Sequence, residues 1–200
     1  MDQPLAERLR PRNLDEFLGQ NKILGEQSLL RKSLENDSVP SMIFWGPPGC
    51  GKTSLAHVIR QHTKKAFVAL SAVASGVKEV KEVLADARKM KAMFKDTILF
   101  IDEIHRFNKG QQDALLGAVE DGTVTLIGAT TENPGFEVNS ALLSRCQLIL
   151  FAPLSKEDLR TLIFSALRDH PRGLQLKDVE VEEAVVDKLI AQSDGDARFL

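Results

Sequence analysis

The stretch that most constrains how this chain can fold is Gly46-Pro47-Pro48-Gly49-Cys50-Gly51-Lys52-Thr53, with Ser54 after it. It reads Gly-x-x-x-x-Gly-Lys-Thr. The apolar run Met42-Ile43-Phe44-Trp45 precedes it, and Ser54-Leu55-Ala56-His57-Val58-Ile59, with helical periodicity, follows. A glycine-rich loop between a strand and a helix is the context in which this pattern cradles phosphate. The glycines let successive backbone N–H groups turn inward around an anion, and the helix aims the positive end of its dipole at the same point. Lys52 can reach β- and γ-phosphates as a point charge, and the Thr53 hydroxyl suits Mg²⁺. A nucleotide site is therefore expected, with residues 46–54 as its cradle.

Such a loop needs a parallel sheet around it, and the rest of the chain has the pattern of one. Residues 66–70 form a short apolar strand. Thr97-Ile98-Leu99-Phe100-Ile101 is a continuous apolar run, as expected of a strand buried on both faces. Residues 124–128 and 148–151 are further strands. Helices are expected over 28–36 (Leu29, Leu30 and Leu34 on one side), 53–62, 77–90 (apolar at 77, 80, 83, 84 and 87), and from an Asn108 cap to about Val119. The alternation predicts a doubly wound α/β sheet. After Pro153 the strands stop. Residues 156–168 read as an amphipathic helix capped by Ser155, 171–178 as a loop, 182–192 as a helix, and a third helix is expected to begin at Asp196 and continue past Leu200. Residues 1–153 thus read as an α/β domain and 154–200 as the beginning of a helical one. Residues 1–20 read as an extended lead-in ending in a turn, since Pro11 disfavours helix at Arg10; on the residues alone this is a solvated arm.

Composition excludes more than it specifies. With 43% hydrophobic and 27% charged residues, 200 residues suffice for one sizeable core. A net charge of −2 gives no global electrostatic case for nucleic acid, so any DNA contact must come from a local patch or from assembly. Cys50 and Cys146 lack metal-ligand or disulfide-framework spacing. Residues 1–12 are polar, without the apolar core of a secretory signal, and no apolar run is long enough to span a membrane. A reducing, cytosolic setting is expected.

The chemistry gathers at strand ends. Ile98-Leu99-Phe100-Ile101-Asp102-Glu103 is an apolar strand delivering two acids to the edge where ligands bind in such sheets. Asp102 is the natural direct or second-shell Mg²⁺ partner, and Glu103 a base placed to polarise water for attack on the γ-phosphate. The strand over 124–128 runs into Ala129-Thr130-Thr131-Glu132-Asn133-Pro134, where a threonine hydroxyl could bond the attacking water or the phosphate; Thr131 is the first choice and Thr130 its neighbour. Residues 139–146 are a short helix ending in Arg145, and Arg198 opens the last helix. Both arginines are uninformative alone, but phosphoryl-transfer sites use arginine to neutralise transition-state charge, in cis or from a neighbour.

Together these pieces resemble the AAA+ ATPase family over the whole chain. Leu9-Arg10-Pro11 with Phe17-Leu18-Gly19-Gln20, the block Ile101-Asp102-Glu103-Ile104-His105-Arg106-Phe107-Asn108-Lys109, and Gly128-Ala129-Thr130-Thr131-Glu132-Asn133-Pro134 resemble its RarA/MgsA branch. The resemblance implies a P-loop NTPase core followed by the start of an α-helical lid, with ATP and Mg²⁺ as cofactors. It implies Walker A at 46–53, Walker B at 98–103, sensor 1 at Thr131, an arginine finger at Arg145 acting on the adjacent subunit's nucleotide, and sensor 2 at Arg198. It also implies adenine contacts around Arg12, Leu18 and Gly19, in place of the solvated arm. Cys50 stands where small residues are usual, but only its backbone is needed there. His105, Phe107 and Asn108 match the block without an assigned role, and His57, His62 and His170 read as ordinary helix or surface residues.

By the same resemblance, ATP hydrolysis at subunit interfaces is coupled to DNA at stalled or gapped replication forks. Expected partners are DNA junctions, gaps and forks, replication proteins such as single-strand-binding protein, and further copies of the chain joined through a C-terminal region absent from this sequence. No membrane partner is expected, and the setting is cytoplasmic, at the nucleoid. Residues 1–200 alone are expected to hydrolyse ATP weakly or not at all. Two rival readings are a clamp-loader-like scaffold switched by nucleotide, against which Glu103 and Arg145 argue, and a RuvB-like branch-migration motor, which shares the Ala-Thr-Thr strand end.

Overall fold

The computed structural model describes residues 3–73, 75–169, 171–176 and 180–200. In chain order the elements are α1 (Leu5–Arg8), α2 (Asn21–Leu24), α3 (Leu29–Glu35), β1 (Met42–Trp45), α4 (Lys52–His62), β2 (Ala66–Ser71), α5 (Val77–Ala92) and β3 (Thr97–Asp102). They continue with a 3-10 turn (Ile104–Arg106), α6 (Lys109–Glu120), β4 (Thr125–Thr130), α7 (Pro134–Glu137), α8 (Ser140–Leu143), β5 (Gln147–Leu150), α9 (Lys156–Phe164) and α10 (Glu183–Ser193).

The 5-stranded sheet has the order β2-β3-β4-β1-β5, and every neighbouring pair is parallel. The central strands β1, β3 and β4 are mostly buried because both of their faces are covered, whereas β5 at one edge is largely exposed. Successive side chains point to opposite faces, so the central strands feed two cores. Ile43, Leu99, Ile101 and Leu126 pack with α5, α6 and α8 through Val80, Leu84, Leu115 and Leu142. Met42, Phe44, Ile98, Phe100 and Ile127 pack with α2, α3 and α4 through Leu24, Leu34, Leu55 and Ile59. Each large apolar side chain buried this way contributes about 1.5–3 kcal/mol. A third cluster, Leu159, Ile163, Val186 and Ile190, joins α9 to α10. Arg160 ties the same pair, bonding Glu183 and, at 2.7 Å, Asp187.

Register brings the strand ends to one edge. Trp45 pairs with Thr130, Ile101 with Gly128, and Ser71 with Asp102. The loop after β1, the acids ending β3 and the threonines ending β4 therefore open into one crevice. Caps fix where the helices begin: Ser28 accepts from the Arg31 N–H, and Asn108 with Gln111 and Ser155 with Asp158 form capping boxes.

Four expectations are corrected. The lead-in is not extended throughout: Pro4 starts a helical turn, its carbonyl accepting from the N–H groups of Glu7 (3.0 Å) and Arg8 (3.1 Å). Leu29 is 83% exposed, so Leu30 and Leu34 alone carry the buried face of α3. The helix expected over 156–168 is regular only to Phe164 and is a wider π-type coil over Ser165–Asp169. There the Ala166 and Leu167 carbonyls accept from Leu174 N–H (2.7 Å) and Leu176 N–H (2.8 Å), which draws them out of the α-helical ladder. The segment from Asp196 is a turn, held by Phe199 N–H to the Asp196 carbonyl at 3.2 Å. His170 and residues 177–178 of the expected loop lie outside the described residues.

Candidate nucleotide-binding site

The loop between β1 and α4 has backbone conformations that require glycine. Gly49 (φ +67°) and Gly51 (φ +104°) lie in the left-handed region. Gly46 is there for space: a Cβ on it would stand 2.4 Å from the Phe151 carbonyl oxygen. Its N–H donates to the Thr130 carbonyl at 3.3 Å, joining the loop's start to the end of β4.

Lys52, at the first turn of α4, is 8% exposed. Its ammonium donates to the carbonyls of Gly46 and Pro47, each at 2.6 Å. Burial lowers its pKa; Cys50 and Asp102 oppose that shift and the nearby Arg198 charge adds to it. Cys50 fills the core beneath the loop at 1% exposure, and burial raises its thiol pKa. Its position in the loop therefore asks only for a small apolar side chain. Cys146 is pushed up to about 11 by burial as well, and both cysteines are free thiols.

The Thr53 hydroxyl donates to Asp102 Oδ2 at 3.4 Å, while Asp102 Oδ1 accepts the Glu103 N–H at 3.2 Å. A hydroxyl and a carboxylate meeting beside the loop form a hard-oxygen donor set suited to Mg²⁺. Among the described residues no group of three or more His, Cys, Asp or Glu could hold a metal, so phosphate and water would have to complete its shell. Glu103 has φ 54° and ψ 46°, a left-handed conformation unusual outside glycine, and its carboxylate meets Arg106 Nε at 2.7 Å. Thr130, 1% exposed, shares a hydrogen bond with His105 Nδ1 at 2.9 Å and accepts the Glu132 N–H at 3.0 Å; Thr131 beside it is exposed.

Lys52, Thr53, Asp102, Glu103, Thr130 and Thr131 line a cavity of about 760 Å³, within the size range that holds small-molecule ligands. It is also lined by Leu5, Ala6, Glu7, Leu9 and Arg10 of the lead-in and by Leu162, Ile163 and Leu189 of α9 and α10; Arg198 and Phe199 border it too. A smaller cavity of about 270 Å³ adjoins it, walled by Pro11, Phe17, Leu18, Gly51, Ser54 and Leu154. Leu18 is thus in a wall. Gly19 (φ +69°) packs against Leu154 and Asp158 at the start of α9, and Arg12 lines neither cavity, its N–H donating to Glu16 at 3.1 Å. Arg145 also lies outside both. It follows α8, 40% exposed at its side chain, bonded to the Ala141 carbonyl at 2.7 Å and paired with Glu120.

Sequence reasoning missed two residues that shape this site. Gln20 (φ 60°) donates from its amide to the carbonyls of Cys50 (3.2 Å) and Ala152 (2.6 Å) and accepts from Ala152 N–H (3.1 Å), clasping the phosphate loop to the chain leading into α9. Asp196 lies directly on the loop: a Cβ on Gly49 would stand 1.8 Å from its Oδ1, which accepts the Arg198 N–H at 2.8 Å. Gln20's only sequence signal is its place after Gly19 in the lead-in block. Asp196, next to Arg198, was read only as a helix start.

A parallel doubly wound sheet with a phosphate loop, a strand-end acid pair and a C-terminal helical segment over the cavity defines a P-loop nucleotide-binding protein. The chain belongs to the AAA family, ATPases associated with various cellular activities, which it matches over residues 42–154. It is 47% identical to replication-associated recombination protein A of Escherichia coli K12 over 98% of its own length and 44% of that protein's, and 48% identical to ATPase WRNIP1 of Dictyostelium discoideum, covering 22% of it. The RarA resemblance read from the three motif blocks therefore extends across nearly the whole chain, which spans less than half the length of these relatives. Among solved structures it is similar to the Thermotoga maritima RuvB Holliday junction branch migration motor, with TM-score 0.74, 32% identity, and coverage of 96% of this chain and 62% of that one.

Proposed function

We propose that the chain carries a Mg²⁺-dependent ATPase site, placed between the sheet edge and the helical segment and completed by a neighbouring copy. The observation that carries this is the meeting of Thr53 and Asp102 at 3.4 Å beside the phosphate loop, with Glu103 next to it in the same cavity wall. Backbone N–H groups of 49–54 and the Lys52 ammonium hold and offset phosphate charge. Thr53 and Asp102 hold Mg²⁺, which when bound neutralises charge on the phosphate oxygens. Glu103 takes a proton from the attacking water and Thr131 helps position it. Arg198 contacts the nucleotide from the helical side, where it borders the cavity. Arg145, outside its own cavity, acts on the nucleotide of an adjacent copy. Leu18, in the wall of the adjoining cavity, forms the adenine side, with Gly19 and Arg12 beside it in the chain and residues 154–200 as the beginning of the lid.

The relatives' names support a role in replication-associated recombination, and coupling of the ATPase to DNA at stalled or gapped forks is the fuller form of the proposal, acting with DNA and replication proteins. The likeness to the RuvB motor favours a second reading, branch migration; processive unwinding of long duplexes by the full-length protein would decide for it. The site itself is tested by two variants. Lys52→Ala is expected to abolish nucleotide binding in an equilibrium titration, since the loop loses its cation. Glu103→Gln is expected to bind normally and lose about 10²–10⁴-fold in turnover, the usual contribution of a general base. Retained turnover in Glu103→Gln would remove Glu103 from the role of base.

A further inference from the structure

The smaller cavity beside the phosphate loop takes its walls from distant parts of the chain. One wall is the lead-in, through Pro11, Glu16, Phe17 and Leu18; the other is α9 and the coil after it, through Thr161 and Ser165. Glu16 bends the lead-in wall, its carboxylate accepting the Arg12 N–H at 3.1 Å while its own N–H donates to the Asn13 side chain at 2.9 Å. Residues 172–176 extend the other wall. They double back so that the Leu174 and Leu176 N–H groups bond the Ala166 and Leu167 carbonyls. Arg172 crosses between the walls. It donates from Nη1 to the Arg10 carbonyl at 2.9 Å and from Nη2 to Glu16 Oε2 at 2.5 Å, 162 and 156 positions away in the chain. The two bonds straddle Pro11, so they fix the backbone on one side of it and the turn on the other. A guanidinium suits this double grip because its donors form a rigid fork. Its side chain is 17% exposed, against 35% for Glu16, and Arg172 lines neither cavity.

We infer that Arg172 is a positioning residue for the nucleotide's base: it staples the lead-in to the helical segment and holds the base-side cavity at its working width before nucleotide arrives. The inference rests on the proposed placing of adenine beside Leu18. A pocket whose walls are already ordered binds without the cost of ordering them, and freeing such a segment weakens binding about three- to tenfold. Partial burial of the pair lifts its effect above that of a fully exposed one. The phosphate loop is held by other means, its own glycines and the Gln20 amide on the Cys50 carbonyl. Binding of the phosphates is therefore indifferent to the staple, and binding of the base is not.

The test is calorimetric titration of the full-length protein, in Mg²⁺, with ATP, ADP and inorganic tripolyphosphate, which carries the phosphates without the base. Arg172→Met keeps the aliphatic stem and removes the donors, whereas Arg172→Lys keeps the charge without the fork. Leu18→Ala probes the base side independently. The expected result is that ATP and ADP bind Arg172→Met about three- to tenfold more weakly while tripolyphosphate binds with the parent's affinity, and that Arg172→Lys falls between. A merely structural role would weaken all three ligands together. Parent-like ATP affinity in Arg172→Met, or an equal loss for ATP and tripolyphosphate, overturns the staple; if Leu18→Ala still loses ATP selectively, the base side stands without it. Unaltered ATP affinity in Leu18→Ala removes the base from this cavity, and the role of Arg172 falls with it.

Discussion

At the residue scale, the site depends on side chains that are absent as much as on those present. Gly46 has no Cβ because the Phe151 carbonyl occupies its place, and that oxygen belongs to backbone leaving β5, which cannot rotate aside. Gly46→Ala should therefore lower stability by about 1–3 kcal/mol, the usual cost of forcing volume into a packed site. It should weaken nucleotide binding as well, because the loop must shift. Thermal unfolding and a nucleotide titration check both, and a variant with parent-like values in each would contradict the close approach. The glycine-lysine-threonine spacing was legible in the sequence because phosphate chemistry dictates every fixed position. The Glu103–Arg106 pair was not, because it arises from a 3-10 turn with a left-handed residue at its head, which no periodicity announces.

At the scale of elements, side-chain clasps decide how the helices sit around the sheet. Asp37 (φ 52°), just past α3, accepts the Thr63 hydroxyl at 2.6 Å and the Lys64 N–H at 2.9 Å, holding the end of α4. Burial alone pushes the Asp37 carboxyl up, but these two bonds and the charges of Lys65 and Lys64 hold it below its ordinary value of 3.8. A depressed carboxylate contributes stability that is fully present above the unfolded value and is lost as pH falls through the folded one. Asp37→Asn should thus cost less than about 1 kcal/mol near neutral pH, the group being partly exposed and screened. The deficit should shrink as the pH falls below the ordinary carboxylate value; urea midpoints at neutral and at acid pH measure it, and a deficit independent of pH contradicts the account. Gln20 does the same work between the phosphate loop and the chain entering α9. Gln20→Ala leaves the Cys50 carbonyl and both backbone groups of Ala152 without its amide. A loss of about 1–2 kcal/mol in chemical denaturation, with weaker nucleotide binding, is expected; unchanged affinity would show that the clasp does not shape the site.

At the scale of the whole molecule, the sequence was most readable where the sheet is most buried. β1 and β3 are apolar throughout because helices cover both faces, and the same runs place Asp102 and Glu103 at the crevice. It was least readable where burial is absent. Leu5–Arg8 contains no buried residue, so its helical turn leaves no apolar period, and the turn at Asp196 lies against Gly49, a residue far away in sequence. Arg145 belongs to this scale too. Its place after α8, half exposed and outside its own cavity, is what the proposed action on a neighbouring copy requires. The most direct test of the account is steady-state ATP hydrolysis by the full-length protein, without DNA and with single-stranded, blunt duplex, gapped and forked DNA, for the parent and Arg145→Ala. The account predicts stimulation by gapped or forked DNA that Arg145→Ala loses while still binding nucleotide. Slow hydrolysis indifferent both to DNA and to the loss of Arg145 would contradict it.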